Sequence, residues 1–406
     1  MAKIEQKSIG SKMKSNMSKS KYIWYLLVVI GVATSCKKPY NPAIVSSDNH
    51  YLVVEGVINS GNDSTIINLS RTVKLSESVS TQLMTNYTVA VEAEQGNSYA
   101  LQSEGNGTYD IGPMHLDASK KYRLHITTPE GKQYVSDYVE VKQTPLIDSI
   151  GFIPKSNYLQ IYANTHDATN NTRYYRWDYS EAWRFHAKFQ SSFIVDGGAV
   201  RIRRADESIY YCYASDKSSN IMLGSSEKLT QDVIFQTPIN TITSNSEKLE
   251  LRYSILLKQY ALTKAGYQFW ENLKKNTEQL GSIFDAQPTQ LQGNIHSVSD
   301  PTEPVIGYVS VTNVQSKRIY INKGQLPNDW IEEYPYNCGM IPDSAFFSHP
   351  KTNYNDVLYF IIQGGGIPID AIYGPFGLLG YTYSSPECAD CTIRGKAKKP
   401  AFWIDN

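Results

Sequence analysis

Between Tyr51 and Lys142 the chain repeats one device: four to eight residues of alternating apolar and polar character, then a turn. The stretches are Tyr51–Ile58, Thr65–Ser70, Tyr87–Ala93, Ser98–Leu101, Tyr109–Ile111, Tyr122–Thr127, Gln133–Ser136 and Val139–Val141. The breaks are Asn59-Ser-Gly-Asn-Asp63, Gln95-Gly96-Asn97, Gly105-Asn106-Gly107 and Thr128-Pro-Glu-Gly131. A period of two puts one face of each strand in a core, and Gly, Pro and Asn supply the backbone that turns need. Strands at this density predict an immunoglobulin-like β-sandwich over 51–143. Thr144-Pro145 then opens a larger β-rich domain, 144–406. Its strand-like stretches include Tyr174–Phe189, Phe193–Arg203, Ser208–Tyr213, Leu249–Leu257, Val305–Val311 and Arg318–Ile321. The fold class is mainly β.

One segment breaks the pattern. Thr263–Gln279 has apolar residues at helical spacing, with Thr263 placed to cap its start and Gly281 to stop it. A single helix is expected at about 263–279, with Tyr267, Trp270 and Leu273 on its core face. Asp356–Gln363 is an apolar run expected as a buried strand. Three glycines follow it, but no Gly-Lys-Ser/Thr does, and Pro368 and Pro375 preclude the helix of a phosphate loop. Ile372–Gly380 reads as an apolar loop, either facing a partner or covered by core.

Residues 1–35 have the anatomy of a lipoprotein signal peptide. Six lysines against Glu5 precede the apolar run Tyr22–Ala33, which is shorter than the roughly 20 residues a spanning helix needs. Ala33-Thr34-Ser35-Cys36 closes it as a lipobox, with Ala33 where an apolar residue usually stands, so Cys36 is the expected lipidation site. Residues 36–50 form a tether. The 39 Lys+Arg balance the 39 Asp+Glu over the whole chain, and removing the leader leaves a net charge of about −5. Such a body argues against nucleic acid as a partner, because phosphate contacts need a basic face.

Four cysteines remain: Cys212, Cys338, Cys388 and Cys391. In an exported chain an even number reads as disulfides, with three pairings open. Cys388-Ala-Asp-Cys391 raises zinc and redox alternatives, but zinc needs two more ligands and redox chemistry a βαβ setting. The seven histidines are scattered, and neither H-E-x-x-H nor G-x-S-x-G occurs. No catalytic residue, metal site or cofactor is assigned, and the chain is expected not to be an enzyme.

Several stretches taken together resemble one family: Ser35-Cys36, Tyr51-Leu-Val-Val-Glu-Gly56, Pro145-Leu-Ile-Asp-Ser-Ile150, Gln259-Tyr-Ala-Leu262, Gly293-Asn294-Ile295, Pro304-Val-Ile-Gly307, Cys388-Ala-Asp-Cys391 with Arg394-Gly395, and Pro400-Ala-Phe-Trp403. Their order is similar to that in the lipoproteins known as domain of unknown function 4249. The resemblance implies a lipid-anchored protein of the Gram-negative outer membrane, encoded near TonB-dependent receptors. It therefore implies a binding or accessory role, with the membrane and such a receptor as partners. An envelope-structural or adhesion role is the alternative, and a surface hydrolase the least favoured. Lys37-Lys38 stand where surface-facing relatives often carry acids, so surface and periplasmic faces both stay open.

Overall fold

The computed structural model describes residues 51–73, 82–278 and 293–405. The leader, Cys36, the tether and Gly281 lie outside them. The described chain is mainly β, as its alternation requires.

In the first sheet, Leu52–Asn59 pairs antiparallel with Thr65–Arg71, which continues to Thr108–Ile111. On the other side Lys121–Thr127 is flanked by Thr88–Ala93 and Gln133–Ser136. Period-two burial is plain in Lys121–Thr127, where Tyr122, Leu124 and Ile126 point inward. The turn at Thr128 closes through Gly131 N–H to the Thr128 carbonyl at 2.9 Å, with Gly131 at φ 85°.

Three strands of this sheet come from far down the chain. Ile295–Ser297 pairs with Gln133–Ser136, and Val305–Ile306 runs parallel to the start of Leu52–Asn59. Val311–Thr312 pairs in parallel with both Leu52–Asn59 and Val139–Lys142, joining the two sides. The result is a nearly closed, barrel-like sheet of thirteen strands around a core that includes Ile58, Ile67, Val89, Val91, Leu124 and Ile126. Gly307, at φ 142°, passes so close to the Val54 carbonyl that a side chain there would collide with it.

Beyond Thr144, two sheets face each other. One is Ile147–Pro154, Tyr158–Asp167 and Asp232–Thr243, all antiparallel. The other centres on the long strand Tyr174–His186, paired with Arg252–Ala261 on one side and with Tyr211–Lys217 and Met222–Ser225 on the other. Leu159, Ile161 and Ala163 meet Tyr175, Trp177, Ile255 and Leu257 between them. This core also buries a charge. Glu181, 3% exposed, accepts from the Lys248 ammonium, from the Tyr253 hydroxyl at 2.5 Å and from Asn240 at 3.2 Å. Burial and the Glu181 charge push the Tyr253 hydroxyl well above its ordinary pKa.

The seam at Thr144-Pro145 is hydrogen-bonded. Gln259 is fully buried and donates to the Pro145 carbonyl at 2.8 Å and Thr165 Oγ1 at 3.0 Å, while accepting from Trp177 Nε1 at 2.8 Å. Thr144 Oγ1 meets Thr312 Oγ1 at 2.7 Å. A Gln259→Leu variant leaves the indole N–H and a carbonyl without partners. It is expected to cost about 2–3 kcal/mol, read from the urea midpoint at unchanged slope.

The helix is Lys264–Glu278, and Thr263 Oγ1 caps it by accepting from Gly266 N–H at 3.1 Å. Phe269 rather than Trp270 is its buried ring, packed on Tyr308, and Tyr267 and Trp270 stay half-buried.

Two sequence expectations are corrected near the C-terminus. Asp356–Gln363 is not a strand: Val357–Gln363 forms a π-helix. A short apolar run fits a buried strand and a helix segment equally, and Val357 and Ile361, four apart, are the two buried positions. Ile372–Gly380 is not a loop. It lies within a hairpin of Ile367–Gly374 and Gly377–Ser384. Pro368 is tolerated because its strand lies at the edge of the three-stranded sheet. Phe193–Arg203 likewise divides into Phe193–Asp196 and Ala199–Ile202, turning at Gly197-Gly198, both with positive φ.

Candidate functional site

The stretch from Asp343 to Ser384 builds a small lobe of its own. Asp343–Phe346 pairs with the Gly377–Ser384 arm of the hairpin, and the π-helix packs beside it. Ala345, Val357, Ile361 and Tyr381 form its core, with Phe193 edge-on to Tyr381 at 5.1 Å. Ser192 N–H donates to the Ile369 carbonyl at 2.9 Å, so the Phe193–Asp196 hairpin is tied to the lobe.

The four candidate cysteines are all brought into disulfides here. Cys212 pairs with Cys391, and Cys338 with Cys388. The first bond links the strand Tyr211–Lys217 to the chain leaving the lobe, and is buried with Phe185 and Ala187. The second joins the approach to the lobe with its exit. The two cysteines of Cys-x-x-Cys thus have different partners, and each thiolate a zinc ion would require is taken up. Among the described residues no group of three or more His, Cys, Asp or Glu is placed to hold a metal.

The other motif residues near the C-terminus pack. The Arg394 guanidinium lies over Phe185 and Tyr334, each 4.7 Å from the ring centre, and pairs with Glu247. Burial lowers its pKa to about 10, so it stays charged at neutral pH. A side chain on Gly395 would press on the Tyr213 carbonyl and the Phe185 ring. Trp403 is buried, with Tyr213 edge-on at 5.0 Å.

Several large apolar residues of the lobe face outward. At the hairpin tip, Phe376 is 102% exposed and Tyr373 73%, with Leu378 and Leu379 half in water. The π-helix presents Leu358, Tyr359 and Phe360. Phe360 stacks on Tyr383 of the hairpin at 5.8 Å with ring planes 13° apart, and Tyr359 meets Phe360 edge-on at 5.2 Å. Gly366 sits where any side chain would press on Tyr383, so the close turn fixes the π-helix against the hairpin. Large aromatic groups held outward on a stapled frame are what an interface needs: contact area with little rotamer freedom left to lose. Sequence reasoning singled out Ile372–Gly380 as apolar but missed the exposed aromatic residues of the π-helix, which stand beside Tyr383 at the other end of the hairpin. The unbroken apolar run Val357–Ile362 offers no period by which to find it.

Cys36 lies outside the described residues. No helix among the described residues is long and apolar enough to cross a membrane.

No curated protein matches the chain. Among solved structures, trypsin-activated alpha-2-macroglobulin from Escherichia coli aligns at 9% identity and a TM-score of 0.17, covering 54% of this chain and 15% of that one. A DUF3823 family protein from Parabacteroides merdae aligns at 8% identity and a TM-score of 0.14, covering 52% of this chain and 92% of its own. At these scores neither likeness carries a structural argument. The family model described as "Domain of unknown function (DUF4249)" matches residues 37–318, well over half of the sequence. By that match the chain belongs to the DUF4249 family.

Proposed function

We propose that this protein is an outer-membrane lipoprotein with a non-catalytic accessory role, held by acyl chains on Cys36 and docked on a TonB-dependent receptor. The observation that carries this reading is the outward-facing aromatic surface of the disulfide-framed lobe. Exposed apolar patches of this kind mark interaction sites. The chain from Cys36 to Tyr51 sets the reach: about 15 residues extend ~50 Å at most. An anchored body therefore stays close enough to the bilayer for its lobe to meet a membrane-embedded barrel. The sequence features that support the anchor are the lysine-rich leader, the short apolar run and the lipobox.

The test is co-purification from detergent-solubilised outer membrane. The wild-type chain is expected to elute with the receptor. A Tyr373→Asp, Phe376→Asp double variant is expected to elute alone with its thermal midpoint unchanged, since exposed positions away from the core contribute little to stability. Two central aromatic anchors lost together weaken such an interface by about 30-fold or more. A wild-type chain that always elutes alone overturns the proposal.

A further inference from the structure

A second site lies away from the lobe, where the first sheet faces the strands Tyr174–His186 and Arg252–Ala261. The cleft there is about 570 Å³, within the range of small-ligand pockets, and is lined by Glu55, Asp63, Arg176, Asp178, Lys258 and Tyr260 among others. Its unusual member is Arg176. The guanidinium lies over two rings, Tyr260 at 4.4 Å and Trp270 at 4.5 Å, and its side chain is 16% exposed. The rings hold it in place but satisfy none of its five donors. Asp178 approaches only to 3.7 Å, beyond a hydrogen bond, and Nε is buried with no partner. A guanidinium whose Nε is buried without a partner is costly to maintain. A planar oxyanion entering the cleft would meet a fork whose orientation is already set.

The rest of the cleft narrows the choice. Three carboxylates, Glu55, Asp63 and Asp178, outnumber Arg176 and Lys258. A polyanion such as phosphate is repelled by that balance. A ligand with one carboxylate and one ammonium answers both signs at once. From this geometry we infer that the cleft binds a small zwitterionic ligand of the short-peptide class. Its carboxylate sits on Arg176, and its ammonium faces Glu55 and Asp63. This site is independent of the partner-facing lobe.

The experiment is titration calorimetry on the folded chain with tri-alanine, its C-terminal amide, and inorganic phosphate as probes. Tri-alanine is expected to bind, its amide at least tenfold more weakly, and phosphate not at all. Arg176→Gln is expected to reduce tri-alanine affinity at least tenfold, with Arg176→Lys recovering only part, since an ammonium neither stacks nor forks. Equal binding of tri-alanine and its amide overturns the inference, as does binding of phosphate alone or no binding of any probe. If the Arg176 variants fail to fold, the comparison of acid with amide on the unaltered chain decides the matter. Co-purification with a receptor is a separate readout, so either proposal can fail without the other.

Discussion

Replacing Cys212 and Cys391 together by serine is expected to destabilise the protein by about 4–5 kcal/mol, more than any single side-chain change away from the disulfides. Cys212 and Cys391 stand 179 residues apart in the chain. Cross-linking a loop of that size removes much of the unfolded chain's freedom. The serine hydroxyls would also be buried where Phe185 and Ala187 offer no partner. The Cys338 and Cys388 pair spans 50 residues, so its double-serine variant is expected to lose somewhat less. Urea unfolding of the two variants against the parent measures both effects. Limited proteolysis should place the first cuts of either variant between residues 338 and 391. A variant without Cys212 and Cys391 as stable as the parent would show that this cross-link adds nothing to stability.

Lys248→Met is expected to cost about 3 kcal/mol or more, because it takes the cationic partner from the buried Glu181 carboxylate. The ammonium is the cationic partner of that carboxylate in the core and also lies 4.8 Å over the Trp183 ring. Tyr253 and Asn240 still donate to Glu181 in the variant, but neither supplies a charge. Adding Glu181→Gln to Lys248→Met is expected to restore at least about 1 kcal/mol, since a neutral amide keeps hydrogen bonds without needing a counter-ion. A double-mutant cycle on the urea midpoints reads this coupling. Additive losses would refute it.

Where two-residue periodicity and turn chemistry agree, sequence and structure agree. Thr65–Arg71, Thr88–Ala93 and Lys121–Thr127 appear within a residue or two of their predicted limits. The helix Lys264–Glu278 was equally legible from its cap and spacing. Agreement ends where local pattern says nothing about distant partners. The pairing of Cys212 with Cys391 depends on how Tyr211–Lys217 and the last turn meet across the fold, which spacing along the chain cannot encode. Val357–Gln363 was misread because an unbroken apolar run carries no period. Arg176 was invisible for a different reason. An arginine inside an aromatic strand reads as any other, and only folding brings Tyr260 and Trp270 against it.

The strand Val311–Thr312 has a consequence for how the molecule comes into being. It supplies hydrogen bonds to two partners made some 170 to 250 residues earlier. Until that dipeptide is synthesised, the segments starting at Leu52 and Val139 carry bare margins, open to mispairing with a neighbouring nascent chain. Maturation is therefore gated by a late arrival, and excising residues 51–143 as a free-standing fragment would yield an unsealed shell.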